Sequence, residues 1–147
     1  DIETSWLIDR GTEVLGDPAY REKLLPITGE IAENIYNTAY KNHSLMNECE
    51  RGVDDTTRVW WVQAEAVVGF LNAWQKKPEE TKYLDAAKDI WGYIKEYVID
   101  KREGSEWFWC VNADGSPIHE PIVEPWKCPY HNGRMCMEVI RRLSTQQ

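Results

Sequence analysis

The sequence predicts an all-α protein built from repeated helical hairpins, and three observations carry that reading. Apolar residues recur at helical spacing over five long stretches. One stretch, from Arg58 to Gln75, is apolar on most of its circumference and should be buried on more than one side. Two parts of the chain also repeat one another with a period of about sixty residues. In each, a helix with a glutamate near its start runs to a proline turn, and a tyrosine just after the proline opens an amphipathic outer helix. Glu3, Pro18 and Tyr20 correspond in this way to Glu65, Pro78 and Tyr83. Repeated hairpins of this kind stack into solenoids or close into an α/α toroid whose inner helices are buried all round.

The first helix, DIETSWLIDRGTEVLG, places Ile2, Trp6, Leu7 and Val14 at helical spacing and stops at Gly16-Asp17-Pro18. The second spans AYREKLLPITGEIAENIYNTAYK, with Leu24, Ile27, Ile31, Ile35 and Ala39 on one stripe and Pro26 as a candidate kink. NHSLMNECERGVDDTT is polar and turn-rich, a loop or short hairpin whose end, Asp54 to Thr57, offers caps for the next helix. The third, inner helix follows, with Trp60 and Trp74 as core. After Lys76-Lys77-Pro78 the fourth, outer helix runs to Asp100, burying Leu84, Ala87, Trp91, Ile94 and Val98. Alternating aromatics and Asp114-Gly115 then predict a small β-hairpin insertion near residues 105–120. Pro129 suits a helix start, and YHNGRMCMEVIRRL completes a fifth helix with Met135, Val139 and Leu143 inward. That helix is a third inner one by repeat logic, without an outer partner.

A chain of 147 residues is long enough for one compact domain that buries about two-thirds of its unfolded surface. The formal charge is −8 with both signs interspersed, so there is no basic stripe for nucleic acid or an anionic membrane. No apolar run approaches the ~20 residues of a transmembrane helix, and the N-terminus does not read as a signal peptide. Cys49, Cys110, Cys128 and Cys136 do not resemble a secreted disulfide framework; buried thiols in a cytoplasmic protein are expected. Eight tryptophans and seven tyrosines against two phenylalanines are the compositional outlier. Rings with a polar edge and a flat face suit the apolar faces of sugars, and they serve cores as well.

The segment EPWKCPYHNGR, residues 124–134, concentrates the reactive residue types. A four-ligand zinc set drawn from His119, Cys128, His131 and Cys136 lacks any CxxC pair or knuckle spacing, so no metal site is expected. His131 lies at a helix start, where free N–H groups and the positive dipole end suit a neutral base with an anion nearby. The alternative is a hydrogen-bonded structural histidine. Glu3 and Glu65 sit on inner helices that are otherwise apolar, so each must be solvated at the mouth or paired in a site. Trp61 shares a helix face with Glu65, and Trp6 lies beside Glu3.

DIETSWL, RVWWVQAEAVVGFLNAW and PWKCPYHNGRMCMEVIRRL together resemble the C-terminal portion of the N-acylglucosamine 2-epimerase superfamily, and within it the cellobiose 2-epimerase branch. The resemblance covers nearly the whole chain. It implies an (α/α)6 barrel that inverts C2 of a reducing-end sugar without a cofactor, through an enediolate and with two histidines as proton carriers. Matched position by position, His131 is one of those histidines. Trp126 and Trp61 match tryptophans that pack on the sugar, and Glu65 matches the acidic residue after the latter. Glu3 and Trp6 match a motif that in the family reads Gly-His-Asp-Ile-Glu. The resemblance thus implies a catalytic set of His131, Glu3 and Glu65 and a substrate-binding set of Trp6, Trp61 and Trp126.

This chain begins one position after the motif's histidine, the second proton carrier, and a substrate-binding arginine of an early helix is absent as well. The expectation is therefore residues 1–147 as a single C-terminal domain that is inactive alone, with a small-molecule sugar as partner. Self-association, or docking with the missing half, is expected to cover the open ends of the incomplete barrel. Other readings are a mannose-type aldose–ketose isomerase of the same superfamily, a non-catalytic carbohydrate-binding helical module, and a zinc-stabilised helical domain.

Overall fold

A computed structural model describes residues 1–144. Five α-helices dominate: α1 (Ile2–Leu15), α2 (Pro18–Thr38), α3 (Trp60–Lys76), α4 (Thr81–Tyr93) and α5 (Tyr130–Ser144). Helices α1 and α2 form one hairpin and α3 and α4 another, while α3 also packs on α1 and α5. The inner row is therefore α1, α3, α5. No described helix is long and apolar enough to cross a membrane.

The first turn forms where its residues direct it. Gly16 adopts φ 68°, and its N–H returns to the Thr12 carbonyl at 3.0 Å. The Asp17 side chain then accepts from the Ala19 N–H at 2.9 Å, with Pro18 as the first residue of α2. Helix α2 continues through Pro26 as one element. Helix α3 is buried on most of its circumference, from Trp60 and Val62 to Phe70 and Ala73. It meets α1 at Gly69, where an added Cβ would stand 2.5 Å from Ile2 Cγ1 and 3.0 Å from the Ile2 carbonyl oxygen. Only glycine permits that approach, which brings the start of α1 beside α3.

Several faces differ from the sequence expectation. On α1, Leu7 and Val14 are exposed, and Ser5, Asp9 and Thr12 line the inner face with Ile2 and Trp6. On α2 the buried residues are Thr28 and Ala32, while Ile27 is 46% exposed. The cause is a polar core. Asp9 Oδ1 accepts from Thr28 Oγ1 at 2.6 Å, and its Oδ2 accepts from Asn72 Nδ2 and pairs with Lys76 Nζ, both at 2.6 Å. This links α1, α2 and α3 through one carboxylate. Arg142 of α5 joins it by donating to Asn72 Oδ1 and Gln75 Oε1, each at 2.9 Å. Arg142, not Leu143, is the buried residue at that end of α5; Leu143 is exposed.

Helix α4 also ends early. A π-helical turn, Ile94–Val98, closes with an Ile99 N–H to Ile94 carbonyl bond at 3.0 Å. Ile94 and Val98 are buried as expected, but Trp91 is half out of the core with the Lys95 ammonium 5.8 Å from its ring centroid. Trp60 is core, whereas Trp74 is only partly buried.

Six short strands occupy the loops: β1 (Tyr40–Lys41) pairs with β2 (Ser44–Leu45), β3 (Glu48–Glu50) with β4 (Val53–Asp55), and β5 (Arg58–Val59) with β6 (Cys110–Val111), all antiparallel. The β1–β2 hairpin is fastened to α3 by the buried Gln63 side chain, which accepts from the Leu45 N–H at 2.9 Å and donates to the Leu45 carbonyl at 2.8 Å. The expected cap from Asp54–Thr57 does not form: Asp55 accepts from the Thr57 N–H and hydroxyl instead, and α3 starts directly from β5. The expected hairpin near residues 105–120 is present in part. The turn at Asp114-Gly115 closes with one bridge, Val111 to Pro117, while β6 spends its pairing on β5. The cysteines are not buried thiols: Cys49, Cys128 and Cys136 are exposed and Cys110 is intermediate, and all four are free.

Helices α2 and α4 are tied by Glu33, which meets Lys82 Nζ at 2.6 Å and also accepts from the Tyr83 hydroxyl and from Asn37. The Lys82 hydrogen bond, followed by those of Tyr83 and Asn37, lowers its pKa to about 2 from 4.5. A depressed carboxylate contributes stability that is present above its unfolded pKa and is lost as pH falls through the folded value. Glu33→Gln should therefore be less stable than the unaltered chain above about pH 5, with the gap closing towards about pH 2. The effect is modest because the side chain is 42% exposed. Urea unfolding of both proteins across this range checks it; a gap independent of pH would refute it.

Candidate active site

The start of α3, the first turn of α1 and the first turn of α5 converge on one carboxylate. Glu65 is 1% exposed, and a buried carboxylate needs every lone pair answered. Its Oε2 accepts from the Trp6 indole N–H at 2.9 Å. Its Oε1 accepts from Arg134 Nη2 at 2.7 Å and stands 2.7 Å from His131 Nδ1. Trp6 and Arg134 both donate, a pattern that an ionised carboxylate satisfies. An ionised carboxylate can only accept from His131, so this contact favours a proton on Nδ1, and in the neutral imidazole that leaves Nε2 as the acceptor nitrogen.

Arg134 is the hub that the sequence reading passed over. Its Nη2 also donates to Glu3 Oε1, and its Nη1 donates to the Tyr130 hydroxyl at 2.6 Å. Its guanidinium carbon lies 5.0 Å from the Trp6 ring centroid and 4.6 Å from that of Tyr130. Burial works against its charge, but the Glu65 and Glu3 carboxylates outweigh burial and raise its pKa. The sequence held a signal for it: Arg134 is three residues after His131 on one helix, facing two carboxylates at repeat-matched positions that require a cation.

The imidazole of His131 is walled by rings. Trp60 meets it edge-on at 5.4 Å between centroids, Trp61 lies tilted at 5.4 Å, and Tyr130 meets it edge-on at 4.9 Å. The structure thus brings together Glu3, Glu65, His131, Trp6 and Trp61. Trp6 is buried with its N–H spent on Glu65, whereas Trp61 is only partly buried. Trp126 stands apart: it is 84% exposed on the turn that Glu124 and Lys127 close, with no ring contact to His131 among the described residues.

One side-chain atom each of Glu3, Glu65 and His131 lies within 4.8 Å of the other two, a spacing that a metal ion could bridge. The guanidinium nitrogen bonded to both carboxylates already supplies the positive charge there. His119, Cys128 and Cys136 do not join this group, so the four-ligand zinc set is not assembled among the described residues.

Helical hairpins with a histidine–carboxylate–arginine cluster at the ends of three inner helices define an α-helical protein with a preorganised polar site under aromatic walls. The chain belongs to the N-acylglucosamine 2-epimerase (GlcNAc 2-epimerase) family, whose sequence profile matches residues 1–134. It is 52% identical over 143 residues to a cellobiose 2-epimerase of Ruminococcus albus, covering 97% of this chain and 36% of that protein. The cellobiose 2-epimerase of Eubacterium cellulosolvens is 48% identical over 141 residues, covering 96% of this chain and 35% of that protein. The crystal structure of a sugar epimerase from a ruminal bacterium superposes with a TM-score of 0.93 at 51% identity, over 96% of this chain and 36% of that one. The chain therefore spans about a third of the length of the curated relatives it matches.

Proposed function

We propose that this chain is the C-terminal part of a cofactor-independent sugar 2-epimerase, in which His131 carries the proton at one face of C2. The observation that supports this reading is the Glu65–His131 contact, which favours the tautomer protonated at Nδ1 and leaves Nε2 to act as base beside Trp61. In the open-chain sugar the base takes the C2 proton, and the C2–H electron pair moves into the C1 carbonyl to give an enediolate. A proton returned to the opposite face of C2 yields the epimer. A positioned base contributes about 10²–10⁴-fold; stabilisation of the enediolate oxygens by fixed donors supplies the larger part.

Two faces require two proton carriers, and the second is contributed from outside this chain. The remaining length of the family completes an (α/α)6 barrel, covering apolar side chains exposed here such as Ile27 on α2 and Met137 and Ile140 on α5. Incubation in deuterated water with cellobiose, mannose or N-acetylmannosamine tests the reading. The chain alone should release no epimer, and a full-length enzyme carrying it should exchange C2 and release the epimer. Release of the epimer by the chain alone would overturn the two-carrier reading, and a ketose product from the full-length enzyme would replace epimerase with isomerase.

A further inference from the structure

The backbone from Asn112 to Pro129 carries no strand or helix, yet it leads into both Trp126 and His131. A segment of this kind needs an anchor if the residues at its end are to hold a fixed position. We propose that Glu106 and Lys127 are a positioning pair that sets the first turn of α5, and with it the placement of His131 and Trp126 for the sugar. The proposal rests on the epimerase reading.

Lys127 is 1% exposed, and an ammonium taken out of water must be paired. It donates to the Glu106 carboxylate and to the Ile122 carbonyl at 2.8 Å, and lies 5.1 Å from the Trp60 ring centroid. The other Glu106 oxygen accepts from the side-chain amide of Asn132, the residue after His131. Asn132 is itself buried. One carboxylate therefore holds the loop before α5 and the helix itself. Trp60 links the pair to the site, since its ring meets the Lys127 ammonium and also packs T-shaped against the imidazole.

Two consequences follow for the site. His131 is held through its ring by Glu65 and through its helix by Asn132 and Glu106, so its angle is fixed from two directions. Trp126 stands fully outward while its neighbour Lys127 is fully inward, so pulling Lys127 out of its socket would turn Trp126 as well. Among the described residues, the side-chain hydrogen bonds of Glu106 and Lys127 go to Asn132, to the Ile122 carbonyl and to each other and not to the Glu65–Arg134–Glu3 cluster, so they act through position. Replacing a buried ion pair by apolar residues of similar size is often neutral for stability. That separates positioning from folding.

The test uses a Glu106→Leu/Lys127→Met double variant and Asn132→Ala, which removes only the link to α5, with exposed Glu103→Gln as control. In a full-length enzyme carrying this chain, both should stay folded with thermal midpoints lowered by only a few degrees, since each leaves one partner of the Asn132–Glu106 bond unanswered. Their kcat for C2 exchange should fall about tenfold or more, because small misplacements of a base are costly, and KM should rise in the double variant, where Trp126 is released. In the chain itself, the His131 imidazole signals in a nitrogen-correlated NMR spectrum should move in both variants and stay in place in the control. If the double variant does not fold, Asn132→Ala alone decides. Folded variants with unchanged kcat and unmoved imidazole signals overturn the proposal. An unaltered enzyme without C2 exchange would sink the epimerase reading instead, and the imidazole signals would still judge the pair.

Discussion

Glu65→Ala should lower the thermal midpoint of this chain by about 10 °C. The estimate follows from what the side chain leaves behind. Removing one partner of a buried ion pair costs about 3–5 kcal/mol, and the lower end applies because Glu3 still answers Arg134. The Trp6 N–H, buried and bonded to Glu65, loses its acceptor as well. About 3 kcal/mol at roughly 3 °C per kcal/mol for a domain of this size gives the figure. It is a large share of the ~5–15 kcal/mol that holds a domain folded. Glu65→Gln keeps the volume and one acceptor oxygen and should lose less than half as much. Differential scanning calorimetry of the two variants checks this, and an alanine variant within about 2 °C of the parent would show that the cluster does not fasten α1, α3 and α5 together.

That cluster was half legible in the sequence. Glu3 and Glu65 stood out because charges at matched places on inner helices require partners, and His131 because it opens a helix beside a proline. Arg134 hid among ordinary helix charges, since nothing local to a helix says which arginine is turned inward. Its discovery needs two helices distant in sequence to meet, as Glu3 and Arg134 do across nearly the whole chain. The same limit explains the misassigned faces. Apolar residue type reports burial only when the core is apolar, and here Asp9, Thr28, Asn72 and Arg142 take core positions by answering one another.

What was readable was the punctuation and the period. Gly16-Asp17-Pro18 acts through residues adjacent in sequence, so the turn forms where the chain prescribes it. The hairpin near Asp114-Gly115 was readable only as a turn, because the strand it serves is chosen by β5, fifty residues earlier, which lies outside any local pattern. Lys127 lies at the far end of that limit. It reads as a surface lysine in any window of sequence, and it is buried because Glu106 and Trp60 arrive from other parts of the chain.

His131→Asn in a full-length enzyme carrying this chain should cost about 10²–10⁴-fold in epimerisation, the range for loss of one positioned proton carrier. Asparagine retains a donor for Glu65 and no basic nitrogen, so stability should change little while the chemistry fails. The informative readout is the asymmetry between the two epimers. If His131 serves one face of C2, the carrier on the other face remains intact and still removes the proton it normally takes. In deuterated water the variant should then wash out the C2 proton of one epimer at close to the parent rate and leave the other epimer unexchanged. Loss of exchange from both epimers alike would point to one base working both faces, and retention of both would make His131 a structural residue. Fixed donors to the enediolate oxygens act on both directions equally, so a variant of theirs cannot produce this one-sided pattern.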